Sequence, residues 1–193
     1  MFGVFPSFSS LYPEFNLGSR IVDKFSDWFS FNLSNREEND KIRFQQLDKM
    51  TLQSSSSPHT AIVVSDASIK NNIATSILHI YICNHPLTKI VHHATFVTST
   101  EAELFAIRCS INQACSKENV SRIIIITDSI HTAKKIFDSK SHPYQLHMMA
   151  ILSELRRFFA MNQENSIKFW EYSSHLNWRL HHAVNKDSKS FNP

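Results

Sequence analysis

Ile123-Ile124-Ile125-Ile126-Thr127-Asp128-Ser129 is the stretch on which the fold turns. Consecutive isoleucines leave the segment no polar face. Their β-branched side chains favour extended backbone. A strand that is apolar on both faces belongs at a central, parallel position, with the sheet covered on both sides. The predicted strand runs from Ser121 to Thr127, and Asp128 ends it. A second apolar run, Ala61-Ile62-Val63-Val64, reaches Asp66 in a strand predicted from Thr60 to Asp66. A carboxylate at the end of a buried strand is costly unless positive charge meets it. A third acid, Glu103, falls in the first turn of a helix predicted from Thr98 to Ser116, whose apolar stripe is Leu104, Ile107, Ile111 and Ala114. Two strand-end acids and one helix acid form the set that a divalent cation on a mixed sheet would need.

Working outward, Ile73 to Cys83 alternates as a strand does (Ile73, Thr75, Ile77, His79, Tyr81), and Lys89 to Val97 reads as another. Asn71-Asn72 and Asn84-His85-Pro86 are turns, which implies an antiparallel meander with the first strand. Helices are predicted over 129–137 and 144–161, the second with Leu146, Met149, Leu152, Leu155 and Phe159 on one face. A strand over 166–172 and a helix over 177–190 complete the order β-β-β-α-β-α-α-β-α. The fold class is α/β: a mixed five-stranded sheet, three strands antiparallel and then parallel ones, flanked by helices. Residues 1–58 differ in kind and hold eight of the fifteen phenylalanines. Ile21, Val22, Phe25, Trp28 and Phe29 follow helical spacing, Ile42, Phe44, Leu47 and Met50 suggest a second helix, and Ser54 to Pro58 reads as a linker. The expected division is a helical, aromatic extension over 1–58 and one domain over 59–193.

Composition excludes several classes. The only glycines, Gly3 and Gly18, lie near the N-terminus, so there is neither a Gly-rich phosphate loop nor a dinucleotide fingerprint. No apolar stretch is long enough to cross a bilayer, and the N-terminus lacks the pattern of a signal peptide. Cys83, Cys109 and Cys115 are odd in number and without framework spacing, which reads as reduced thiols in an intracellular protein, cytoplasmic or nuclear. A net charge of +3 permits a polyanionic partner without requiring one.

Three pieces, Val63-Val64-Ser65-Asp66-Ala67-Ser68, Ser99-Thr100-Glu101-Ala102-Glu103-Leu104-Phe105-Ala106-Ile107 and Ile125-Ile126-Thr127-Asp128-Ser129, in this element order, resemble the type 1 ribonuclease H domain. The resemblance covers about Thr60 to Phe191 and is strongest to the divergent domains carried by non-LTR retroelements. It implies Mg²⁺-dependent hydrolysis of the RNA strand of an RNA–DNA hybrid, with Mn²⁺ as an alternative ion. Asp66 would bridge two metals, and Glu103 and Asp128 would each support one. It also implies an upstream partner of the reverse-transcriptase type; the oligomeric state stays open. Each acid has an ordinary alternative. Glu103 could close a capping box with Thr100, although Thr98 with Glu101 offers the same box and leaves Glu103 free. Asp128 could cap the following helix, and Asp66 could be a turn residue. Taken jointly and in this order, the three acids read as a metal site.

The chain departs from the family pattern in several places. Ala67 stands where the family has glycine after the first acid, and the glycines expected on the second strand are absent. The family's mobile histidine corresponds to His175, with a role in product release or proton transfer. Its fourth acid, ten residues on, corresponds to Asn185, followed by Lys189. Asn185 still offers a neutral oxygen. Asp187 could serve only in a different helical register, because a two-residue shift turns a side chain by about 200°. The resemblance therefore implies activity that is reduced or shifted between metals, and the alternative is a degenerate module that binds without cutting. His181 and His182 read as solvated histidines, not as a zinc cluster. Substrate contacts are expected from Ser68, Lys70, Asn71 and Asn72 at the first turn, with Lys134, Lys135, Arg179 and Lys186 as further positive groups.

Overall fold

A computed structural model describes residues 29–32, 40–83, 85–95, 98–137, 145–172 and 178–190. The elements are β1 (Phe29–Asn32), α1 (Asp40–Ser55), β2 (Thr60–Lys70), β3 (Ile73–Ile82), β4 (His85–Thr95), α2 (Ser99–Cys115), β5 (Arg122–Thr127), α3 (Ile130–Lys135), α4 (Gln145–Met161), β6 (Ser166–Glu171) and α5 (Arg179–Ser190). They build one mixed sheet in the order β1-β6-β5-β2-β3-β4. The β2–β3 and β3–β4 pairs are antiparallel, whereas β2–β5, β5–β6 and β1–β6 are parallel. The mixed sheet is the one expected, with β1 added as a sixth strand.

The isoleucine run occupies the predicted position. β5 lies between β2 and β6, and Ile123, Ile125 and Ile126 are 1% exposed or less. Burial of such a side chain contributes about 1.5–3 kcal/mol, so this strand anchors both faces of the sheet. On one face, Ala61, Val63, Ile123, Ile125, Ile167 and Phe169 pack against Leu104, Ile107 and Ile111 of α2 and Ile151, Leu155 and Phe159 of α4. On the other, Ile62, Val64, Ile77, Ile124 and Ile126 meet Leu47 and Met50 of α1, Val184 of α5, Tyr172 and Trp178.

The first 58 residues differ from expectation at two points. The helical spacing read through Phe29 gives way to strand at that residue; Ile21 to Trp28 lie outside the described residues. Tertiary packing overrides local periodicity here. Phe31 stacks on Phe169 with ring centroids 5.0 Å apart and meets Phe137 edge-on at 5.5 Å, which holds β1 on the sheet edge. The serine-rich segment is also less of a linker than its composition suggests, because Ser54 and Ser55 are the last residues of α1. That helix is docked: Leu47 is 1% exposed, and Trp178 Nε1 donates to Asp48 Oδ1 at 2.9 Å.

β2 runs past Asp66 to Lys70, farther than predicted, because it continues into the hairpin with β3. The turn residues Asn71 and Asn72 carry φ of 53° and 61°. Positive φ at both central residues matches the right-handed twist of a hairpin, and asparagine tolerates it better than most residues. Ala67 pairs with Ser76 inside the ladder and is not among the residues of positive φ, so the missing glycine costs the backbone nothing there. All three cysteines are free. Among the described residues no helix is long and apolar enough to cross a membrane.

Candidate metal centre

Strand register brings the first two acids together. β2 and β5 are parallel, with Val64 opposite Ile126 as the last paired residues of the ladder. Two residues farther along each strand stand Asp66 and Asp128. Adjacent strands are about 4.8 Å apart, so the two carboxylates leave the end of the ladder side by side. Asp66 shares the face of Ile62 and Val64, since alternate residues point the same way. That is the face covered by α5.

The third member of the cluster is a histidine. Ligand atoms of Asp66, Asp128 and His181 all lie within 4.8 Å of one another. The expectation that His181 is solvated is corrected: it is 3% exposed, whereas His182 next to it is exposed. Helical spacing explains the difference. Trp178, His181 and Val184 follow one another at intervals of three, and Trp178 and Val184 are both fully buried. His181 thus stands in the buried stripe of α5, and the same spacing was available in the sequence.

Tyr172 sets the position of that histidine. Its backbone N–H donates to the Thr127 carbonyl at 2.9 Å, tying the end of β6 to the residue before Asp128. Its ring lies 4.3 Å from the His181 ring, centroid to centroid, at 30°. Its hydroxyl accepts from the Trp178 backbone N–H at 3.3 Å, just ahead of α5. The Trp178 indole then reaches Asp48. One chain of contacts thus runs from α1 through the start of α5 to the sheet end that carries the acids.

Glu103 approaches from α2. Thr98 is the N-cap, and its hydroxyl accepts from the Glu101 backbone N–H at 3.2 Å, the arrangement that leaves Glu103 free of capping. Burial, and then the charges of Asp128 and Asp66, push the Glu103 carboxyl up to about 8 from the ordinary 4.5. Asp128 is also raised, by burial and then by Asp66, with His181 acting in the opposite direction. Asp128 does not cap α3: Ser129 is the N-cap residue, and Asp128 Oδ1 is buried without a hydrogen-bond partner. Glu103 and Asp128 thus resist ionisation, and a cation among the acids would relieve that resistance.

Of the two residues expected at the fourth position, Asp187 is engaged outside the acid cluster. Asp187 Oδ2 is 2.8 Å from Lys89 Nζ and 3.0 Å from His79 Nε2, on β4 and β3. Hydrogen bonding to Lys89, the Lys89 charge and His79 hold its carboxyl below the usual range, as a paired anion. It is therefore the partner of a surface cation pair and not a member of the acid cluster. Asn185 is half-buried on α5, one helical turn beyond His181. Ser68 follows Asp66 on the same face of β2 and is half-buried, while Lys70, Asn71 and Asn72 are exposed at the hairpin end. His175 lies outside the described residues.

No protein-family model matches the chain, and no curated protein matches it. Solved structures do. The PFV RNase H domain in solution is 15% identical with a TM-score of 0.49, over 68% of this chain and 90% of that one. RNase H1 from the halophilic archaeon Halobacterium salinarum NRC-1 is 13% identical with a TM-score of 0.48, over 66% and 98%. The foamy viral protease-reverse transcriptase in complex with RNA/DNA hybrid is 11% identical with a TM-score of 0.49, over 68% of this chain and 19% of that one. The fold itself is defined by the strand order, the parallel register of β2 with β5 and the helices on both faces of the sheet.

Proposed function

We propose that this chain is a metal-dependent nuclease that hydrolyses the RNA strand of an RNA–DNA hybrid. The observation that carries the reading is the convergence of Asp66, Asp128 and His181 within 4.8 Å just past the end of the parallel β2–β5 ladder, with Asp128 Oδ1 buried and lacking a hydrogen-bond partner. Asp66, Asp128 and Glu103 would supply hard oxygen donors, and His181 would add a nitrogen donor from the helix that also carries Asn185. A bound divalent ion would activate a water and offset charge on the leaving oxygen. The protein's own part is to hold the donors and to release protons: Glu103, raised to about 8, gives one up as a cation enters. An imidazole donor favours Mn²⁺ over Mg²⁺ relative to an all-oxygen site. Ser68, Lys70, Asn71 and Asn72 extend beyond Asp66 along the hairpin and would meet phosphate and 2′-hydroxyl groups of the hybrid. His175 keeps its proposed role in proton transfer or product release. An upstream partner of the reverse-transcriptase type would supply the rest of the grip.

A second reading, a module that binds without cutting, draws support from Asp187. Its engagement with Lys89 and His79 leaves the cluster one acid short of the family pattern. Purified protein and an Asp66→Asn variant, given labelled hybrid in Mg²⁺ and then Mn²⁺, separate the two. Cleavage by the parent alone, faster in Mn²⁺, supports the nuclease. Folded protein that binds hybrid but cuts it in neither metal assigns the module.

A further inference from the structure

The sheet carries a concavity at the end opposite the acids, lined by Ile123, Ile124 and Ile167 as well as by polar side chains. Its volume is about 400 Å³, and it opens beside the C-terminus of α1, where β2, β5 and β6 begin. Arg122 and Lys168 line it, together with the hydroxyls of Ser30, Ser54, Ser57 and Ser166. No aspartate or glutamate is among the described lining residues. Arg122 Nη2 donates to Ser57 Oγ at 3.3 Å, and Lys168 Nζ lies 4.8 Å from the Trp170 ring centroid. Both cations are thus held in place by neutral groups, with their charge uncompensated by a carboxylate among the described residues. The α1 C-terminus contributes roughly half a negative charge at the rim, which two full positive charges outweigh.

We propose that this pocket binds the phosphate group of a nucleotide. A guanidinium, an ammonium and a ring of hydroxyl donors are the groups that recognise a phosphate, the arginine in bidentate fashion. The volume lies in the range of small-ligand sites and exceeds what a bare oxyanion needs. The pocket is separate from the acid cluster. Thr60 and Arg122, at its mouth, stand six residues before Asp66 and Asp128 on the same two strands, about 20 Å away. It does not depend on the nuclease reading. The phosphate could belong to a free nucleotide or to the end of a nucleic-acid strand, and the chemistry recognised is common to both.

The test is titration of the full chain in EDTA with inorganic phosphate, with a nucleoside 5′-monophosphate, and with single-stranded oligonucleotides that differ only in carrying or lacking a 5′-phosphate, followed by calorimetry and amide chemical shifts. Inorganic phosphate is expected to bind near ~1 mM and the monophosphate about tenfold more tightly. Shifts should centre on Arg122, Ser57 and Lys168. Lys168→Ala and Arg122→Gln should each weaken binding about fivefold or more. Ser54→Asp, which adds a carboxylate at the rim, should abolish it. Asp66→Asn should leave it unchanged. Preference for the 5′-phosphorylated oligonucleotide over the monophosphate identifies a strand end as the source, and the reverse identifies a free nucleotide. Absence of binding at several times that concentration overturns the proposal. So does binding that survives Ser54→Asp, or shifts that gather at Asp66 and Asp128.

Discussion

Replacement of Glu103 by glutamine tests the acid cluster without any assay of activity. In the metal-free protein the Glu103 carboxyl stands at about 8, against an ordinary 4.5, mainly because it is buried and then because Asp128 and Asp66 lie near it. Its folded-state value is raised, so between those limits the folded state holds a proton that the unfolded chain has released. Stability then falls as pH rises through that window. At pH 7 the gap from 4.5 is worth about 3 kcal/mol at 1.36 kcal/mol per unit, an upper figure because the site can relax and admit water. Glutamine keeps the shape and has no proton to lose. Glu103→Gln should therefore unfold later than wild type by roughly 5–10 °C at pH 7–8, at about 2–4 °C per kcal/mol for a chain of this size. Near pH 4.5 the two should differ little. Thermal melts in EDTA followed by circular dichroism across pH 5–8 read this directly. Added Mn²⁺ should raise both midpoints at pH 8, the wild type by more, because Asp66, Asp128 and His181 remain in the variant and only in the wild type does the cation also replace the Glu103 proton. A variant no more stable than wild type at pH 8, or equally stabilised at every pH, would refute the electrostatic account of the cluster.

Three further outcomes follow from the same geometry. His181→Ala should cut Mn²⁺ affinity by about tenfold or more in calorimetry and change Mg²⁺ affinity far less, because only the softer ion gains from imidazole; equal losses for both ions would remove the histidine from the donor set. Asp187→Asn should leave metal affinity within about twofold and cost under about 1 kcal/mol, the usual range for an exposed ion pair with Lys89 and His79; a collapse of metal binding would return Asp187 to the site. Asp48→Ala removes the acceptor of the Trp178 indole and should cost about 1.5–3 kcal/mol in chemical denaturation, with a loss of Mn²⁺ affinity as α5 and His181 loosen; unchanged metal binding would mean that α1 does not help to position the histidine.

The core of the fold could be read in the sequence because its decisive signals are local. Four isoleucines in a row admit few placements, the alternation from Ile73 to Tyr81 fixes a face, and Thr98 with Glu101 marks the start of α2. The Asp66–Asp128 pair was legible for the same reason: each acid follows an apolar run, and parallel register does the rest. What the sequence hid depends on distant partners. Phe29-Ser30-Phe31-Asn32 alternates over only four residues, too short a run to outweigh the helical spacing before it, and β1 is held by the aromatic surface that Phe169 and Phe137 offer Phe31. Ser54 and Ser55 look like linker, yet α1 carries through them. Asp187 looked available because neither Lys89 nor His79 is near it in sequence.

His181 lies between these cases, and under the proposed function it would be a changed ligand set on an unchanged scaffold. Measured from His175, the counting that the family pattern invites arrives at Asn185 and finds no acid. Measured from the buried residues of α5, it arrives at His181, because Trp178 and Val184 fix which side of the helix faces the sheet. A helix presents a donor to a strand end through its buried stripe, and any residue of that stripe one turn earlier or later approaches the same sheet face. The positional requirement is therefore on the stripe, not on a fixed distance from the preceding loop. Tyr172, held by Thr127 and packed against the imidazole, supplies the rigidity that a single interaction from a helix would lack. On this argument a change from carboxylate to imidazole is a change of metal preference before it is a loss of function. Asn185 and the absent fourth acid are then the wrong place to look for evidence of degeneration.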